Sequence, residues 1–74
     1  MARYTVIKML KKEFQAKREK AILTLELLTE SPAGIGDHST DDFYKNSIEA
    51  ISALAEADDV LDTIERYYPS WDSL

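Results

Sequence analysis

Four acidic residues recur at intervals of three in the second half of this 74-residue chain: Glu56, Asp59, Asp62 and Glu65. Helical carboxylates can hold Mg²⁺, as they do in all-α nucleotide pyrophosphohydrolases and di-metal bundles. Those sites need a second acidic motif on the facing helix, and the closest match, Glu26 and Glu30, lies near the wrong end for one hairpin. We therefore interpret the series as a solvated face. A metal-dependent pyrophosphohydrolase that uses Glu26 and Glu30 of a neighbouring chain is the alternative.

The segment Gly34-Ile-Gly-Asp-His-Ser could expose backbone amides to a phosphate. No lysine or arginine follows it closely, however, and the nearby aspartates would repel an anion. Asp37 and His38 supply only two metal ligands, which makes a weak site. We interpret the segment as a turn that leads into a helix cap, and Asp37 and His38 as candidate contacts for a partner at its tip.

Three aromatic residues, Tyr67, Tyr68 and Trp71, cluster near the C-terminal end of the sequence. Aromatic clusters of this kind either cap a hydrophobic core or form the energetic centre of a protein-binding surface. We keep both interpretations open and include the three residues among the candidate partner contacts.

Composition excludes several classes of protein. There is no cysteine and one histidine, so neither a disulfide nor a thiolate zinc site can form. Hydrophobic residues make up 45% and charged residues 31%, as in a globular domain. No apolar run approaches the roughly 18 residues of a membrane span. We expect one soluble cytoplasmic domain with no cofactor, no bound metal and no enzymatic activity.

Charge is distributed unevenly along the chain. Residues 1–30 carry seven Lys and Arg against four Glu, a net +3, whereas residues 31–74 carry two against ten Asp and Glu, a net −8. The acidic balance argues against a general nucleic-acid binder, which usually presents a basic stripe. An acidic mimic of nucleic acid remains an alternative function. Attraction between the halves, or between copies of the chain, is the simpler interpretation.

Hydrophobic periodicity predicts two amphipathic helices. Tyr4, Ile7, Leu10 and Phe14 begin a stripe in the first segment, and a near-strict heptad seam runs from Phe43 in the second. Pro32 and Pro69 end the segments because the residue before a proline avoids helical angles. We predict one domain with helix 1 at about 3–30, a loop at 31–39, helix 2 at about 40–67 and a short tail at 68–74. The fold class is an all-α antiparallel helical hairpin.

The apolar content exceeds what one hairpin can bury. Four side chains of helix 1 are predicted to point away from its stripe, and three side chains of helix 2 extend past its seam in the same way. They are Val6, Met9, Leu23 and Leu27 of helix 1, and Ile48, Ile51 and Val60 of helix 2. Two hairpins can enclose such residues in a four-helix bundle, so we expect a homodimer. Its predicted core contains Phe14, Ala21, Leu25, Leu28, Leu54 and Leu61. Arg18 with Asp58, and Lys11 with Asp58 or Asp62, are predicted bridges between the helices.

The middle of the chain, from Lys20 to Tyr44, resembles small proteins encoded by large tailed phages that infect marine cyanobacteria. The resemblance rests on the Pro-Ala-Gly-Ile-Gly-Asp-His-Ser loop and its flanks. It implies a phage accessory product that acts in the host bacterial cytoplasm, and it implies no activity for any residue. The sequence as a whole therefore predicts a non-enzymatic interaction or regulatory module that binds an unknown host or phage macromolecule.

Overall fold

The computed structural model describes residues 2–30 and 40–69, and these residues form two long helices. Helix α1 spans Ala2–Glu30 and helix α2 spans Thr40–Tyr67. The predicted all-α hairpin and the predicted helix bounds are confirmed to within one residue. The molecule is a rod with extents of 52 × 16 × 15 Å. The predicted loop at 31–39 and tail residues 70–74 lie outside the described residues.

Local electrostatics and proline chemistry explain where α2 begins and ends. Asp41 and Asp42 occupy its first turn and Arg66 its last, so each charge opposes the helix dipole. The helix ends at Tyr67, two residues before Pro69. The Tyr68 amide still donates to the Ile64 carbonyl at 2.7 Å, which closes one further turn.

The predicted seam of α2 is confirmed by its burial pattern. Ala50, Ala57 and Ile64 are buried at intervals of seven, and Leu54 and Leu61 are half-buried between them. This spacing of three and four residues is that of helices packed nearly antiparallel with a left-handed twist.

The seam of α1 differs from the predicted stripe at one position. Lys11 rather than Leu10 is half-buried, and Leu10 is 41% exposed. The reason is geometric, because a seam that starts at Tyr4 and Ile7 continues four residues later at position 11. Arg18 occupies the next equivalent place, so two half-buried cations lie along the side of α1 that contacts α2.

The core of the hairpin consists of small side chains. Of the described residues, only Ala21, Ala50, Ala57 and Ile64 are buried. Alanine lets two helix backbones approach closely, since interaxial distance depends on the side chains at the contact. The same small size means that little apolar surface is removed from water, and burial is the main stabilising contribution.

Within residues 2–30 and 40–69, neither helix contains a stretch apolar enough to span a bilayer.

Enlarging Ala57 should separate the helices. Ala57 is 1% exposed, so Ala57→Leu should lower the free energy of unfolding by about 1–3 kcal/mol through overpacking. Ala55→Leu is the matched control, because Ala55 is exposed on the same helix and both residue types favour helix. Urea denaturation at one fixed protein concentration measures both variants. Equal effects at the two positions would contradict the close alanine contact.

Candidate functional site

The most distinctive feature of the surface is exposed apolar area. Ten large hydrophobic side chains of the described residues are at least 41% exposed. They are Val6, Met9, Leu10, Leu23, Leu27, Tyr44, Ile48, Ile51, Tyr67 and Tyr68. Six of the seven residues predicted to lie outside the two stripes are among them. The seventh, Val60, is half-buried, so the prediction is wrong there. Exposed apolar area on this scale is typical of surfaces that associate with another protein.

A groove of about 500 Å³ runs between the two helices along one side of the hairpin. Its α1 wall includes Phe14, Ala21 and Leu28, and its α2 wall includes Ala50 and Ala53. The two walls run antiparallel, and small residues on α2 leave the groove open. We call the side of the hairpin that contains this opening the groove face.

The two rims of the groove carry opposite charges. Lys17 and Lys20 line the rim on α1, whereas Glu49 and Glu56 line the rim on α2. Among the described residues, Lys20, Glu49 and Glu56 form no ion pair within the chain. The groove face is thus an apolar floor between a basic rim and an acidic rim.

Contacts within α1 position the side chains of the basic rim. The Lys17 ammonium lies 4.8 Å from the centroid of the Phe14 ring, a cation–π distance, and 3.8 Å from the Glu13 carboxylate. Thr24 donates its hydroxyl to the Lys20 carbonyl at 2.9 Å. The Thr24 hydroxyl is therefore satisfied within α1, and it contributes to the groove without needing a polar partner there.

The predicted Arg18–Asp58 bridge is confirmed. Arg18 Nε donates to Asp58 Oδ1 at 2.8 Å, and this contact links the two helices across 40 positions of sequence. The two side chains are 41% and 56% exposed, so the pair is well solvated. Ile51 precedes Asp58 by seven residues and shares its side of α2. We call this side of the hairpin the Arg18–Asp58 face.

The acidic series at 56–65 does not converge on a common point. Asp62 lies 2.6 Å from Arg66, one turn further along α2. No group of three or more His, Asp or Glu within residues 2–30 and 40–69 is arranged to hold a metal ion. The geometry of one hairpin therefore gives no support to the pyrophosphohydrolase alternative.

The predicted partner contacts fall into two groups. Tyr67 and Tyr68 are 68% and 43% exposed, so both rings are accessible at the end of α2. Asp37, His38 and Trp71 lie outside the described residues. In the predicted dimer core, Ala21 is buried and the other five residues are half-buried in the single hairpin.

The groove itself was missed by reasoning from sequence. A usable signal was present, because small or short side chains recur at Asn46, Ala50 and Ala53 beside the seam. Whether such residues leave an opening depends on how closely the helices approach, which periodicity alone does not specify.

The Arg18–Asp58 pair should contribute little to stability. In a double-mutant cycle of Arg18→Gln and Asp58→Asn, the coupling free energy should stay below about 1 kcal/mol because both groups are solvated. The coupling free energy should disappear near 1 M salt, where the Debye length is about 3 Å. Urea denaturation of the four variants measures it. A coupling above about 2 kcal/mol that persists in high salt would show instead that the pair is desolvated.

Comparison with protein families, curated proteins and solved structures finds no match to this chain. Its function must therefore be inferred from the surfaces of its own two helices.

Proposed function

We propose that this chain is a non-enzymatic protein-interaction module that self-associates into a homodimeric four-helix bundle. A dimer would enclose apolar side chains that a single pair of helices leaves in water. The outer faces of the bundle would then be available to a second macromolecule.

One observation carries the proposal: the described residues bury three alanines and one isoleucine while ten large hydrophobic side chains stay exposed. A stable domain ordinarily has the reverse balance, since apolar burial of roughly 25 cal/mol per Å² opposes the entropy of ordering the chain. Association is the physical means by which a two-helix unit acquires an interior.

The partner surface that we favour is the stretch of the Arg18–Asp58 face formed by Tyr44, Ile48 and Ile51. These residues follow at intervals of four and three, so they form one apolar stripe on α2, and they are 65%, 46% and 53% exposed. A stripe with this spacing matches the anchors by which amphipathic helices dock. Tyr68 extends the candidate contacts towards the other end of the rod.

Self-association should appear as concentration dependence. Sedimentation equilibrium at micromolar protein should give twice the 8.4 kDa chain mass, and the melting temperature should rise with protein concentration because the dimer binds only folded chains. A compact, thermally stable monomer at the same concentrations would contradict the proposal.

Partner binding should depend on the apolar stripe of α2. Affinity capture from a cyanobacterial lysate should recover the same protein with wild type and with Ala16→Ser, and lose it with the double variant Ile48→Ser and Ile51→Ser. Ala16→Ser is the control because Ala16 is exposed on the other helix. Mass spectrometry identifies the captured protein. Mg²⁺-dependent nucleotide hydrolysis that is abolished by Asp59→Asn would instead favour the enzymatic alternative.

A further inference from the structure

We infer that the groove face is the self-association surface, and that two copies pack groove to groove with their hairpins pointing in the same direction. In this arrangement α1 of each copy lies against α2 of the other. The inference rests on the proposed function, because it specifies how the dimer is built.

The groove face extends along the whole rod. Residues seven apart lie on the same side of a helix. Leu10 precedes the groove residue Lys17 by seven positions, and Leu27 follows the groove residue Lys20 by seven. On α2, Tyr67 follows Ala53 by two such intervals. The exposed side chains of Leu10, Leu27 and Tyr67 thus continue the apolar floor beyond both ends of the groove.

The lining of the groove shows which parts of the two helices lie side by side. Residues 14–28 of α1 face residues 46–56 of α2 across it, and the helices run antiparallel. Lys20 therefore lies in the same stretch of the rod as Glu49 and Glu56, and Leu10 lies towards the end of the rod that carries Tyr67.

A two-fold axis parallel to the helices preserves this alignment along the rod. It brings the acidic rim of the second copy, formed by Glu49 and Glu56, against the basic rim with Lys20, and the Tyr67 end of the second copy against the Leu10 end. Lys20 of each copy, which forms no ion pair among the described residues, then meets the unpaired acidic rim of the other.

The alternative dimer, in which the two hairpins point in opposite directions, does not bring rims of opposite charge together. It would place α2 against α2 of the second copy, and the groove-face positions of α2 carry Glu49 and Glu56 but no cation. It would also bring α1 against α1. Like charges that face each other disfavour an interface and thereby select the other arrangement.

Net charge of the whole helices favours the same order. Residues 2–30 carry seven Lys and Arg and four Glu, a net +3, and residues 40–67 carry two Lys and Arg and eight Asp and Glu, a net −6. In the proposed bundle, every helix has only oppositely charged helices as direct neighbours.

Spin labels distinguish the two orders directly. The chain has no cysteine, so Lys8→Cys and Glu30→Cys each introduce a single labelling site on exposed positions of α1. With hairpins pointing the same way, both variants should give inter-label distances below about 25 Å, set by the width of a four-helix bundle. In the opposite order at least one distance must exceed about 30 Å, because the two positions are about 33 Å apart along α1.

Charge reversal tests the contact between the rims. Lys20→Glu and Glu56→Lys should each raise the dimer dissociation constant, and an equimolar mixture should form a heterodimer as tight as wild type. Within each variant chain, positions 20 and 56 carry like charges. Recovery of the dimer affinity in the mixture can therefore come only from contacts between the two chains. Two variants that stay weak when mixed would overturn the proposed arrangement.

A matched pair of substitutions identifies the face. Leu27→Lys should raise the dimer dissociation constant at least about tenfold by placing a charge in a buried contact. Ile51→Lys, on the Arg18–Asp58 face, should leave it within about twofold, although Leu27 and Ile51 are 57% and 53% exposed in the single hairpin. A dimer that resists Leu27→Lys, or gives the long label distance, overturns this inference and leaves the proposed function standing. A monomeric wild type overturns both.

Discussion

The alanine contact between the two helices constrains everything else in this molecule. Ala21, Ala50 and Ala57 are the most buried small residues of the seam, and they let the backbones approach closely. Close approach excludes water from a narrow line but encloses few of the larger side chains. Leucines and aromatics therefore remain half-buried or exposed around that line. A pair of helices has two open sides, and only additional protein can cover them.

Charge adds to this packing and favours one register of the two helices over the others. The basic helix and the acidic helix attract each other, and Arg18 and Asp58 meet at 2.8 Å beside the seam. Solvated pairs of this kind contribute little free energy. Their larger effect is on specificity, since they favour one register of the hairpin over others that would bury the same apolar residues. The oppositely charged rims of the groove extend that principle from one chain to two.

The two open sides of the hairpin differ in chemistry, and this difference separates two roles. The groove face combines an apolar floor with one basic and one acidic rim, which makes it self-complementary. The Arg18–Asp58 face already uses its central charges within the chain and exposes Tyr44, Ile48 and Ile51 further along α2. Self-association through the first side would leave the second side accessible, as an interaction module requires.

Sequence by itself determined the two helices, their ends and the seam of α2, because period, proline and charge act locally along the chain. It also predicted the Arg18–Asp58 pair, since two opposite charges on facing stripes of a hairpin must come near each other. Only the tertiary structure decided that Lys11 replaces Leu10 in the seam, and that a groove opens beside Ala50 and Ala53. Both depend on the rotation and separation of packed helices, which arise from all side chains of the contact together.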